Sequence, residues 1–346
     1  MTSRKTLLAI IVILIVVASY IAVDHYVSSN KQNVELVVCN AGSLTIPLQK
    51  IADDYQKRTG VKVLLEPSGS VDAVRKVTDL HKTCDIVAVA DYRLIPMYMY
   101  PNYTKWYIEF ASNKLVIVMG QGIKGNHNLS SVLNDMLNPN IKYGFSDPNR
   151  DPCGYRSVGV IGLLSLYFNN MSLLENLVIQ KIPGSTYNLT NGTLNIYVPP
   201  SFAPTGNLVI RPKSVQLLSL LESGELDYAF EYQSVAVQHN LTYVTLPDIA
   251  NLGNPVYAQN YSKVVVHILV GTENEKAIAM APIVYGLTVP VTAKHPDEAL
   301  GLVKYILENG RTVFNSLGQP FLNKPIGSGA IPEGLVGLVE ESSGKS

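Results

Sequence analysis

An excess of charge of either sign is the first thing missing from this chain: 27 Lys and Arg balance 27 Asp and Glu, for a formal net charge of zero. That removes the basic surface a nucleic acid would need and the acidic surface a polycation would need. Cysteine is scarce, with Cys39, Cys84 and Cys153 forming an odd number without metal-type spacing. One disulfide is compatible with this; a disulfide scaffold is not. The six histidines, His25, His81, His127, His239, His267 and His295, are scattered, none at i, i+4 from another. A Gly-x-Ser-x-Gly elbow, a phosphate-loop lysine motif and a Rossmann glycine fingerprint are all lacking. A triad assembled only in space stays open as the less frequent case. There is no low-complexity tract and no usable internal repeat. At 47% hydrophobic and 16% charged over 346 residues, the chain reads as globular with about two domains.

What is present begins at the N-terminus. Arg4 and Lys5 precede "TLLAIIVILIVVASYIAV" at 6–23, apolar apart from Thr6, Ser19 and Tyr20. About twenty apolar residues can span a bilayer, and flanking positive charge keeps their N-terminal end inside. Either a signal peptide, with "VAS" at 17–19 as cleavage site, or an uncleaved anchor fits, and the length of the run favours the anchor. Both put the rest of the chain outside the cell. Seven Asn-x-Ser/Thr sequons, at Asn102, Asn128, Asn170, Asn188, Asn191, Asn240 and Asn260, agree with a glycosylated exterior.

From residue 33 the pattern alternates strand and helix. "VELVVCNAG" is a β-branched run ending in small residues, and "LTIPLQKIADDYQKRTG" has helical spacing and closes on Gly60 as C-cap. "VKVLLEPSGS" followed by "VDAVRKVTDLHK" repeats the device, and "CDIVAVADYRLIP" starts a third unit. This rhythm predicts a mostly parallel sheet with helices on both faces, where ligands bind beyond the carboxyl ends of the strands. A second α/β region runs from "IKYGFSDPNRDPCGYRSVGV" through a Tyr/Asn/Pro-rich excursion at about 168–207 to "SKVVVHILVG". "APIVYGLTVP" reads as a strand, "HPDEALGLVKYILENG" as a helix with Pro296 in its first turn, and 336–346 as a flexible tail.

Four positions invite chemistry. Ser43 and Ser70 each occupy a Gly-Ser turn between strand and helix, where a hydroxyl commonly caps the helix but where its first amides also favour an anion. Asp151 before Pro152 is a standard helix start, so capping alone is its commoner use. Glu231, in "LDYAFEYQSV", falls where a strand should end at the cleft, with Arg156 and Arg211 as candidate ion-pair partners.

The segments "NAGSLTIPLQKIADDYQKRTGVKVLLEPSGSVDAVRKVTDL", "DIVAVADYRLIP", "SDPNRDPCGYR", "LDYAFEYQSVAVQHN" and "LGQPFLNKP" together resemble the archaeal tungstate/molybdate-binding proteins, extracellular receptors of ABC transporters. The likeness runs from about residue 33 to 326, with "DPCGYR" and "EYQSVAVQH" its most specific parts. It implies a type II periplasmic-binding-protein fold: lobe I at 33–117 plus 285–335, lobe II at 118–284, and crossovers near "NKLVIVMG" and "IVYGLTVP". It also implies that Gly42, Ser43, Ser70 and the amide of Cys153 hydrogen-bond the oxo groups, while Asp151 and Glu231 coordinate the metal centre. The chain departs from the family at Val89, where a serine is usual, and at Arg150, where an acidic residue is expected.

A physical argument accompanies that implication. Two carboxylates beside a dianion repel it by about 1 kcal/mol per pair at roughly 4 Å even in water. Tungsten(VI) and molybdenum(VI) are large Lewis acids that can add two carboxylate oxygens to their own four; sulfur in sulfate is too small. Selectivity would then come partly from repulsion of the wrong anion. The expectation is a monomeric, non-enzymatic receptor without a cofactor that passes tungstate or molybdate to a permease, either held at the extracellular face of the cell membrane by its N-terminal segment or secreted. The alternatives are a sulfate or phosphate receptor, a metal-dependent hydrolase using Asp151 and Glu231, and a sensor ectodomain.

Overall fold

The structure, a computed structural model, describes residues 34–125 and 127–342. The apolar segment at 6–23, with its choice between signal peptide and anchor, lies outside the described residues. Lobe I is built on a seven-stranded sheet. Its strands are β1 (Glu35–Ala41), β2 (Lys62–Ser68), β3 (Ile86–Val89), β4 (Trp106–Asn113), β14 (Ile283–Thr288), β15 (Phe321–Gly329) and β16 (Glu340–Glu341). They lie in the order β16-β15-β4-β14-β3-β1-β2. Lobe II holds two sheets. One contains β5 (Leu115–Met119), β6 (Tyr143–Ser146), β9 (Leu208–Arg211), β10 (Tyr228–Tyr232) and β11 (Tyr243–Thr245), in the order β11-β5-β10-β6-β9. The other contains β7 (Thr186–Thr190), β8 (Thr193–Tyr197), β12 (Val264–Ile268) and β13 (Lys276–Ala279), in the order β13-β12-β8-β7.

Two α/β lobes joined by two crossovers are therefore present, but neither main sheet is mostly parallel. β1 pairs in parallel with β2 and β3, whereas β14, returning from lobe II, runs antiparallel to β3 and β4. In lobe II, β10 is parallel to β6 and antiparallel to β5. The expected boundary at 117/118 falls inside β5, which pairs wholly within lobe II; the chain crosses at Asn113–Leu115 instead. The return crossing similarly precedes β14 at Ile283, not 285. The stretch from 336 is also more than a tail: Leu335 is buried in a short helix (Glu333–Val336), and β16 pairs with β15.

The unassigned excursion supplies the third sheet. β7 and β8 form a hairpin whose turn residues, Asn191 and Gly192, both have positive φ (52° and 78°). An Asn-Gly pair suits this geometry, which matches strand twist at little steric cost. The Pro152–Tyr167 helix packs between the two lobe II sheets and is buried over most of its length, as an apolar helix should be. Gly159 and Gly162 permit the close approach: a Cβ on the first would meet Met280 Sδ at 2.2 Å, and on the second Ile196 Cδ1 at 3.0 Å.

Helix ends follow local chemistry. The Thr45–Thr59 helix closes on Gly60 in the left-handed conformation, its N–H donating to the Gln56 carbonyl at 2.8 Å. Pro296 opens the Pro296–Ser316 helix. Cys39 on β1 and Cys84 before β3 form a disulfide, leaving Cys153 as a buried free thiol. Closing a loop of 45 residues is worth about 4 kcal/mol in the chain-entropy account. The bond clamps two neighbouring strands whose ends lead toward the cleft.

Candidate functional site

In the second sheet β9, β6 and β10 run parallel, so their carboxyl ends open on one edge. That edge gathers Asp151, Cys153, Ser214 and Glu231. Asp151 has extended backbone (φ −138°, ψ 130°) and caps the Pro152–Tyr167 helix with Pro152 at its first position. Its Oδ1 accepts from the Cys153 N–H at 3.3 Å, the expected cap, and its Oδ2 accepts from the Ser214 N–H at 2.8 Å. Glu231, next to last on β10, uses Oε1 for three donors: the Tyr232 N–H at 2.7 Å, the Ser214 hydroxyl at 3.1 Å and, more weakly, the Cys153 thiol at 3.9 Å. Its Oε2 is buried without a hydrogen-bond partner. Ser214 and Cys153 thus tie the two carboxylates together, and no Lys, Arg or His among the described residues forms an ion pair with either.

Burial without an ion-pair partner governs their ionisation, the Arg156 charge opposing the shift of Asp151 only as the last of its causes. Desolvation pushes Asp151 up to about 6 and Glu231 up to about 8, the Asp151 charge adding to the second shift while amide and hydroxyl donors oppose both. The Cys153 thiol is pushed up by burial and by the same two carboxylates.

Lobe I meets this edge with two turns. After β1 a short 3-10 turn, Gly42–Leu44, leads into the Thr45–Thr59 helix. A Cβ on Gly42 would stand 2.9 Å from Val215 Cγ2, beside Ser214. After β2, Gly69 precedes the Ser70–Thr78 helix; a Cβ there would overlap the Arg150 carbonyl oxygen at 2.2 Å and touch Asp151 Cβ at 3.1 Å. Both glycines therefore let lobe I close onto the residues flanking the carboxylates.

The two serines do not cap. Ser70 Oγ accepts from the Ala90 N–H at 2.9 Å, and Ser43 Oγ lies 3.2 Å from the Tyr285 hydroxyl. Gly69, which has no side chain to cap with, holds the N-cap position instead, and the Val71 N–H is satisfied across the cleft by the Arg150 carbonyl at 3.1 Å. Accepting from Ala90 leaves the Ser70 proton free to donate. The expected partners of Glu231 are also corrected. Arg156 serves Asp91, Ala90 and Tyr232, and Arg211 donates to the Ile210 carbonyl, so neither pairs with Glu231.

Two sets of contacts hold the lobes around this site. On one side, Asp91 of lobe I accepts from Arg93 Nε at 2.9 Å, Arg93 Nη2 at 2.6 Å and the Tyr155 hydroxyl at 2.8 Å, with Arg156 Nη2 at 3.2 Å. Burial works against its charge, but the two guanidiniums outweigh that and hold its carboxyl well below the usual range. At the lip, Arg150 reaches Asp72 at 2.7 Å and Lys213 Nζ donates to the Pro67 carbonyl at 3.2 Å. Both link opposite lobes, and Arg150 owes its place there to Asp72, not to a role beside Asp151.

Sequence reading missed Ser214, which bridges both carboxylates. "RPKSVQLL" follows a β-rich run as "NAGSLT" does, and that parallel was the available signal. It also missed Tyr285 and Asn113, which join Ser43 to the crossover through a 3.0 Å hydrogen bond.

Residues 36–318 match a family model described as bacterial extracellular solute-binding protein. The chain is 49% identical to a solute-binding protein of Staphylothermus marinus, across 96% of this chain and 97% of that one. It is 43% identical to the molybdate/tungstate-binding protein WtpA of Thermococcus kodakarensis, across 90% of this chain and 89% of that one. Among solved structures, the periplasmic molybdate-binding protein of Azotobacter vinelandii superposes with a TM-score of 0.53 at 15% identity, covering 83% of this chain and 98% of that chain, a likeness of fold.

Proposed function

The chain belongs to the extracellular solute-binding protein family, and from that premise we propose that it captures tungstate or molybdate between its lobes and delivers it to an ABC transporter permease. The observation that carries this reading is the buried Asp151–Glu231 pair: two carboxylates tied through Ser214, no cationic partner, and one oxygen, Glu231 Oε2, left without a hydrogen bond. With both carboxyls ionised, such a pair disfavours an anion that can only accept hydrogen bonds. It suits one whose central atom is itself an electron-pair acceptor. On this reading Asp151 and Glu231 bind the metal of the oxyanion, while Ser43, Ser70 and the backbone amides at Gly42 and Cys153 bind its oxo groups, the Cys153 N–H turning from the Asp151 Oδ1 that accepts it at 3.3 Å. The WtpA relative, named for molybdate and tungstate, supports the same ligand.

The receptor works by lobe closure without a chemical step, as a monomer and without a cofactor, outside the cell, tethered by its N-terminal apolar segment or secreted. Among the described residues no group of three His, Cys, Asp or Glu side chains is arranged to hold a metal ion. Calorimetric titration with tungstate, molybdate and sulfate in parallel tests the proposal. Tight binding of the first two with no response to sulfate is expected. Comparable sulfate binding would reduce both carboxylates to structure, and silence from all three would favour a sensor.

A further inference from the structure

Arg156 reaches further across the lobe junction than either carboxylate. It is 1% exposed and lies one turn beyond Cys153 on the Pro152–Tyr167 helix of lobe II. Its Nη1 donates to the Ala90 carbonyl of lobe I at 2.7 Å and to the Tyr232 hydroxyl of lobe II at 2.9 Å. The guanidinium carbon sits 5.8 Å from the Tyr155 ring centroid and 5.9 Å from that of Tyr232, within cation–π range. Both hydrogen-bonded partners lead on to the site. The Ala90 N–H donates to Ser70 Oγ at 2.9 Å, and the Tyr232 N–H donates to Glu231 Oε1 at 2.7 Å. A continuous path therefore runs from Ser70 through Ala90, Arg156 and Tyr232 to Glu231.

Neutralising Asp91 does not account for this reach, because Arg93 already makes two hydrogen bonds to that carboxylate. Both hydrogen bonds leave Nη1, whose two N–H groups are held at a fixed angle in the guanidinium plane, while Nε and Nη2 make none, so gripping acceptors from two bodies through that one nitrogen fixes their separation; a lysine ammonium on a flexible stem would not. We propose that Arg156 is a positioning residue that sets the register between the Ser70 turn of lobe I and Glu231 of lobe II, so that hydroxyl donor and carboxylate address the same oxyanion. This rests on the tungstate/molybdate reading and deepens it, since coordination through the metal tolerates less misplacement than hydrogen bonding to oxo groups.

The test pairs calorimetry with X-ray absorption at the tungsten edge, which reports whether bound tungsten keeps four oxygens or gains carboxylate ligands, on the wild type, Arg156→Lys and Tyr232→Phe. Expected are expanded coordination in the wild type, an affinity about 10- to 100-fold weaker in Arg156→Lys with a spectrum shifted toward four-coordinate tungstate, and a smaller change of the same kind in Tyr232→Phe. Wild-type affinity and spectrum in both variants would overturn the proposal, as would weakened binding with an unchanged spectrum, the mark of a merely structural role. Should Arg156→Lys fail to fold, Tyr232→Phe decides on the same two readouts. Unexpanded tungsten or no binding in the wild type would overturn the coordination reading and this proposal together, whereas a failure confined to the variants overturns this proposal alone.

Discussion

Asp91 and the Asp151–Glu231 pair are nearly equally buried at the lobe junction, at 1%, 5% and 1% exposure, yet their charges are handled in opposite ways. Asp91 is met by two guanidiniums and a tyrosine hydroxyl, and it stays ionised far into acid. The pair is met by amides, a hydroxyl and a thiol, all of them neutral, and both its members are pushed up, Asp151 to about 6 and Glu231 to about 8, so that Glu231 resists ionisation at neutral pH. Desolvation alone therefore does not decide ionisation; the sign of the nearest groups does. The matched cluster is finished within the protein and serves mechanics. The unmatched pair has no counter-charge within the protein, and on the proposed reading the bound oxyanion's metal completes it.

The comparison can be broken most forcefully at Asp91. Asp91→Asn leaves the buried Arg156 and the partly buried Arg93 without their counter-charge and should cost about 3–5 kcal/mol of unfolding free energy in denaturant titrations. A loss below about 1 kcal/mol would mean the cluster is not truly charge-matched. Glu231→Gln should do the reverse. Removing a desolvated charge should raise the melting temperature of the ligand-free protein at pH 8, while tungstate affinity falls by about 100-fold or more, equivalent to roughly 3 kcal/mol. Equal affinities in calorimetry would sink the coordinating role.

The pH dependence sharpens the contrast. Folded, ligand-free protein keeps the Asp151 proton from an ordinary 3.8 up to about 6 and the Glu231 proton from 4.5 up to about 8. In those windows the folded state holds more protons than the unfolded one, so stability falls as pH rises, by at most about 1.4 kcal/mol per unit for each group. Asp91 has the opposite sign: its contribution is present above the ordinary 3.8 and is lost as pH falls toward its lowered value. Thermal melts across pH should show both limbs, and saturating tungstate should flatten only the alkaline one. The smallest effect is expected at the lip, where Asp72 and Arg150 are 23% and 46% exposed. Asp72→Asn should cost no more than about 1 kcal/mol, read as faster tungstate release in stopped-flow, with the difference shrinking at high salt. A loss matching that of Glu231→Gln would shift the weight of binding from the pair to the lip.

Local signals were legible wherever one residue decides a local conformation. Gly60 as C-cap, Asp151 with Pro152 as helix start, and the small-residue turns after β1 and β2 could all be read from neighbours in the chain. The Asn191-Gly192 pair carried an equally local hairpin signal that the Tyr/Asn-rich surroundings obscured. Partnerships across the sheet order could not be read that way. Ser214 bridges the carboxylates because β9, β6 and β10 end together, although β6 and β10 are separated by 80 or more residues of chain. Arg156 is a candidate ion-pair partner of Glu231 by charge alone, yet the fold turns it onto Ala90, Asp91 and Tyr232. The hydroxyls of Ser43 and Ser70 sit in the expected turns but bond tertiary partners, Tyr285 and Ala90, in place of their own helix amides.

β14 occupies the middle of the seven-stranded sheet, between β4 and β3, although it comes from residues 283–288, after the whole of lobe II. During synthesis, lobe I must therefore wait with its central place vacant while lobe II is made as one continuous stretch. A chain ended at residue 282 should leave residues 115–279 folded, with protected amides in hydrogen exchange, and residues 35–113 open; protection in the second region would disprove the sequence of events. The late strand acts as a keystone, and the receptor acquires its two-sided cleft only when the last fifth of its chain arrives.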